Sequence, residues 1–118
     1  MKAVNPRGYV IVLEEDAQIR ELLARWLGEA GYRVAPDALK GMQPVLVIVD
    51  VPEPESAEAL IGSLRAVYTA PILVLSARFR RGLAGSEDTA RRLGVKRVLP
   101  KPFTRKELLA AVRESVEA

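Results

Sequence analysis

Hydrophobic positions along this chain fall into two alternating patterns. Short continuous runs come first: Tyr9-Val10-Ile11-Val12-Leu13, Val45-Leu46-Val47-Ile48-Val49 and Ile72-Leu73-Val74-Leu75. Runs of this length, rich in β-branched residues, suit strands buried on both faces, as in a parallel sheet. Tyr32 to Ala35 and Arg97-Val98-Leu99 predict two shorter strands. Between them lie stretches with helical spacing. Ile19, Leu22, Leu23, Trp26 and Leu27 form one stripe, opened by Asp16 as a candidate N-cap and closed by Gly31. Glu55 to about Tyr68 predicts a second helix with Ala59, Leu60, Leu64 and Val67 inward. A short one follows from Ser86 to Leu93, stopped by Gly94. Thr104-Arg105-Lys106-Glu107 is a capping box, flanked by Phe103 and Leu108 as a hydrophobic staple, for a last helix to about Val116.

One interval is short. Pro36 to Pro44 has room for one helical turn at most, around Asp37 to Lys40, whereas a parallel crossover usually takes a dozen or more residues. The alternation of strands and helices predicts an α/β fold, a parallel sheet with helices on both faces. At 118 residues it is expected to form a single domain, residues 1–118.

Composition removes several chemistries. There is no Cys and no His, which excludes thiol catalysis, disulfides and the usual zinc sites. Lys and Arg number 18 against 15 Asp and Glu, an excess too mild to argue for nucleic acid. No apolar leader precedes Gly8 and no apolar run reaches membrane-spanning length, so the expected address is the cytoplasm without membrane insertion. Arg78, Arg80 and Arg81, in a loop from Ala77 to Gly85, read as a solvated segment.

Ligands of open parallel sheets bind beyond the carboxyl ends of the strands. There the first strand runs into Glu14-Glu15, the third into Asp50, the fourth into Ser76 and the fifth into Lys101. Three carboxylates on one edge repel unless a cation neutralises them, and hard oxygen donors without His or Cys point to magnesium. A carboxylate beside such a cation can attack a phosphoryl group. The metal and a lysine would neutralise the transferred oxygens, and a hydroxyl could donate to another.

Four motifs in order resemble a response-regulator receiver domain, the phosphoacceptor module of two-component signalling. They are Val12-Leu13-Glu14-Glu15, Val47-Ile48-Val49-Asp50-Val51, Ile72-Leu73-Val74-Leu75-Ser76-Ala77-Arg78 and Leu99-Pro100-Lys101-Pro102-Phe103. The resemblance implies a doubly wound, flavodoxin-like five-stranded sheet of order 2-1-3-4-5, here with a shortened second helix. It implies that Asp50 takes phosphate from a histidine kinase or phosphotransfer protein. Glu15 and Asp50 would hold Mg2+ directly, Glu14 through water, and Pro52 through its main-chain carbonyl. Lys101 would pair with Asp50 at rest and with the phosphoryl group afterwards, Ser76 would carry the switch, and the peptide before Pro102 would be cis. A downstream output protein would read the signal.

Some positions depart from the family pattern. Glu15 replaces the usual Asp, Pro52-Glu53-Pro54 replaces a Gly-containing loop, and Val98 stands where many receivers carry an aromatic. Glu15, Val98 and the shortened second crossover favour an alternative, a phosphorylation-independent receiver-like interaction module. An enzyme or nucleotide binder is disfavoured, because Glu14-Glu15-Asp16 occupies the place of a Gly-rich phosphate loop. Direct DNA binding is disfavoured too, since no helix-turn-helix segment is left over.

Overall fold

A computed structural model of the chain describes residues 8–52, 56–77 and 90–117. In chain order the elements are β1 (Tyr9–Leu13), α1 (Ala17–Glu29), β2 (Arg33–Ala35), β3 (Leu46–Asp50), α2 (Ala57–Val67), β4 (Ile72–Ser76), β5 (Arg97–Pro100) and α3 (Arg105–Glu117). All strand pairs are parallel, in the order β2-β1-β3-β4-β5. The doubly wound fold is therefore the one expected. The helix start at Glu55, the Ser86 cap and the segment with Arg78, Arg80 and Arg81 lie outside the described residues.

Each run divides its side chains between two cores, which is why the runs show no polar alternation. Val10, Val12, Leu46, Ile48, Leu73 and Leu75 face α1 and α3, packing on Leu23, Leu27, Leu108 and Val112. Tyr9, Ile11, Val47, Val49 and Val74 face the other side, under Ala57, Ile61 and Leu64 of α2 and under Ala90 and Leu93. Among the described residues, no helix is long and apolar enough to cross a membrane.

Local signals act as their chemistry dictates. Asp16 caps α1, its carboxylate accepting from the N–H groups of Gln18 at 2.9 Å and Ile19 at 3.2 Å. At the other end Gly31 takes φ of +98°, donating to Gly28, while Tyr32 donates to the Leu27 carbonyl. Residues 90–93 end the same way, with Gly94 at +73° donating to Arg91 and Val95 to Ala90. This paired bonding satisfies orphan carbonyls and needs a left-handed residue, hence glycine. The capping box of α3 closes reciprocally: Thr104 N–H donates to Glu107 Oε1 at 2.9 Å, and Glu107 N–H to Thr104 Oγ1 at 3.0 Å.

Two expectations need correction. The interval from Pro36 to Val45 contains no helical turn at all. Tyr9 supplies what a covering helix would have. Its buried hydroxyl accepts the Leu39 N–H at 3.1 Å and donates to the Met42 carbonyl at 2.9 Å, and Leu39 packs on the core. A side chain thus satisfies backbone groups that a turn of helix would have paired internally. The second correction concerns α2. Ala59 is exposed and Val67 is 68% exposed, while Ala57, Ile61 and Leu64 are the buried positions. Spacings of four and three through 57, 61 and 64 define the inward face, and Val67 sits on its flank.

Candidate functional site

At the carboxyl edge of the sheet, register brings strand ends together. Asp50 pairs with Leu75 and Ser76 with Pro100. Hydrogen bonds continue one step past the strands, from Val51 N–H to the Leu75 carbonyl at 2.8 Å and from Lys101 N–H to the Ser76 carbonyl at 2.9 Å. The Lys101–Pro102 peptide is cis, as the resemblance implied. Directly after β5, Lys101 reaches the ends of β1 and β3 with its side chain.

Lys101 is the hub. Its ammonium lies 2.8 Å from Glu14 Oε1 and 2.8 Å from Asp50 Oδ1. The three side chains are mostly withdrawn from water, at 3% exposure for Glu14, 16% for Lys101 and 18% for Asp50. Partial burial strengthens such attraction relative to a surface pair. Burial opposes the charge on Lys101. The hydrogen bonds to Asp50 and Glu14, with their negative charges, outweigh it and hold the ammonium pKa above the ordinary lysine value.

Glu14 is committed at every oxygen. Oε1 takes Lys101, Oε2 accepts the Asp16 N–H at 3.1 Å, and its carbonyl accepts Arg20 Nη1 at 2.7 Å. Arg20 was not singled out from the sequence. Its signal was only its place four residues beyond the Asp16 cap, where a long side chain reaches back over the first turn. Glu15, in contrast, is exposed. It shares one cleft with Glu14, Asp50, Arg20 and Pro52, walled by Leu13, Pro36 and Leu60. Ser76 is fully buried at the end of β4.

Of the six positions expected at the site, the structure joins three through one ammonium: Glu14 and Asp50, each bound to Lys101. Glu15 and Pro52 line the same cleft, and Ser76 is placed by register beside the end of β5. The oxygen donors suit magnesium in kind. Among the described residues, however, no three carboxylates converge as a ready cation cage. In this arrangement the ammonium supplies the neutralising charge.

The chain is similar to known regulators. It is 35% identical over 120 residues to the transcriptional regulatory protein PdtaR of Mycobacterium tuberculosis, a match covering 91% of this chain and 56% of that protein. It is 33% identical over 115 residues to protein PetR of Rhodobacter capsulatus, covering 88% of this chain and 46% of that one. The chain thus spans about half the length of the curated relatives it matches. Among solved structures, a response regulator receiver protein from Burkholderia phymatum superposes with a TM-score of 0.72 at 21% identity, over 94% of this chain and 96% of that one. The N-terminal domain of the nisin resistance regulator NsrR gives 0.73 at 24% identity, over 93% and 98%. No family model matches the chain.

Proposed function

The chain belongs to the response-regulator receiver family, and on that premise we propose that Asp50 accepts a phosphoryl group from a histidine kinase or phosphotransfer protein. The observation that carries this reading is the Asp50 carboxylate at the end of β3, hydrogen-bonded through one oxygen to Lys101 at 2.8 Å. The reaction forms a bond between an Asp50 oxygen and phosphorus as the phosphorus–nitrogen bond of the donor breaks. Lys101 neutralises phosphoryl oxygens, and the Ser76 hydroxyl donates to one of them once it turns toward the site. Glu15, Asp50, Glu14 and the Pro52 carbonyl are the oxygens that would hold Mg2+, which when bound spreads the charge of the transferred group. In this role the chain is a switch rather than an enzyme, acting in the cytoplasm. Its phosphorylated surface is read by a downstream output protein without direct nucleic-acid contact.

A second reading, a phosphorylation-independent interaction module, is favoured by a different observation: among the described residues, no three carboxylates converge as a ready cation cage. The two readings separate in one measurement. Intact mass is recorded after incubation with a small phosphoryl donor and Mg2+, for the natural chain and for Asp50→Asn. The switch gains one phosphate that Asp50→Asn does not. No gain under conditions that label an ordinary receiver sinks the switch and leaves the module.

A further inference from the structure

At the opposite edge of the sheet, where β4 and β5 begin, lies a second cleft of about 560 Å³. That volume is within the range of small-molecule sites. Pro71, Ile72, Val95 and Val116 provide apolar wall. Arg65 and Lys96 also line it, and neither has an ion-pair partner among the described residues. The Arg65 guanidinium lies across Gly94, 3.0 Å from where a Cβ there would sit. Among the described residues, no carboxylate side chain lines the cleft.

The hydroxyl residues Tyr68 and Thr69 also line the cleft, as does Ser115. Ser115 is 2% exposed, and its hydroxyl has no hydrogen-bond partner among the described residues. A buried hydroxyl without a partner is uncommon in folded proteins and asks for one from outside. The position of Arg65 in the last turn of α2 follows from the helix dipole alone. That explanation covers neither Lys96, which precedes β5, nor the orphaned hydroxyl.

We propose that this cleft binds a small organic carboxylate with an apolar body, its anion on Arg65 and Lys96 and within reach of Ser115. The carbonyl ends of α2 and α3 border the same cleft, and their partial negative charge disfavours a bare dianion such as phosphate. A monoanion with apolar surface fits both the cations and the walls. The site shares no residue with the Asp50 cleft, so it stands or falls independently of phosphoacceptance.

The test is a titration of the ¹⁵N-labelled chain with phenylacetate, with phenylacetamide and acetate as controls, followed by amide shifts. Saturable shifts at Thr69, Gly94 and Lys96 are expected, with phenylacetamide weaker by about tenfold, the worth of a charge-assisted bond. Arg65→Gln and Lys96→Gln each weaken phenylacetate by a similar factor. Ser115→Ala weakens it several-fold yet raises the melting temperature of the ligand-free chain, because the orphaned hydroxyl is gone. The proposal is overturned by an absence of saturable shifts, by equal binding of phenylacetamide, by shifts clustered at Glu14 and Asp50, or by undiminished binding in Ser115→Ala.

Discussion

Lys101 is the residue on which the site's electrostatics turn. With its ammonium removed, the carboxyl groups of Glu14 and Asp50 lose their shared partner in a partly dry environment. Lys101→Met is expected to destabilise the chain by about 2–3 kcal/mol, less than breaking a fully buried pair because Asp50 retains some exposure. Adding Glu14→Gln removes one of the two ionisable groups and restores much of that loss, so urea denaturation of the two single variants and the double one should show clear non-additivity. Additive effects would deny that the ammonium joins them. The raised pKa sets the pH window. A lysine held above its ordinary value contributes stability in full below 10.5, and that contribution drains away as pH climbs through the raised folded value. Tyr68 acts in the same sense from 10.0 upward, being raised by burial and by Asp37. Stability should therefore stay flat with respect to these groups at neutral pH and fall in strong alkali. Thermal melts of Lys101→Met and Tyr68→Phe assign the two parts of the fall. The residue types at this edge were legible in the sequence, but Arg20 and the full commitment of Glu14 were not, because both depend on side-chain reach across a turn.

Among the elements, α1 and α3 were the most legible, since their caps and stripes are local. Thr104→Ala should cost about 1 kcal/mol through loss of one half of the capping box, read from the midpoint of chemical denaturation. The second crossover was the least legible. Its brevity was plain, but what fills its place is Tyr9, 30 positions from Leu39 and 33 from Met42 in the chain. Tyr9→Phe keeps the ring in the core and strands a carbonyl and an N–H. A loss of about 1–2 kcal/mol is expected, with faster amide exchange at Leu39. Unchanged exchange there would mean the hydroxyl does not hold the crossover. The misread face of α2 has a similar origin. Both 57/61/64 and 60/64/67 are acceptable helical stripes, and only the sheet beneath decides between them.

At the scale of the molecule, one sheet serves two cores, with alternate residues of β1, β3 and β4 belonging to each. Neither core exists without the other, so unfolding should be one cooperative event. Trp26, the only tryptophan, packs edge-on to Phe103 with ring centres 6.4 Å apart and reports on the α1–α3 side. Its fluorescence and the far-ultraviolet circular dichroism should change together on heating, and separated transitions would contradict a shared core. By itself the sequence determined the order and type of nearly every element, the doubly wound class, and the residues delivered to the carboxyl edge. Each of those follows from local periodicity, caps and strand-end positions, which short stretches of chain encode. Only the tertiary structure decided that the second crossover has no helix, that Glu14 and Asp50 share one ammonium, and that a buried Ser115 lines one cleft with Arg65 and Lys96. Those outcomes join residues far apart in the chain, with Glu14 and Lys101 separated by 87 positions, and the energy of such a contact is set by where folding places its partners.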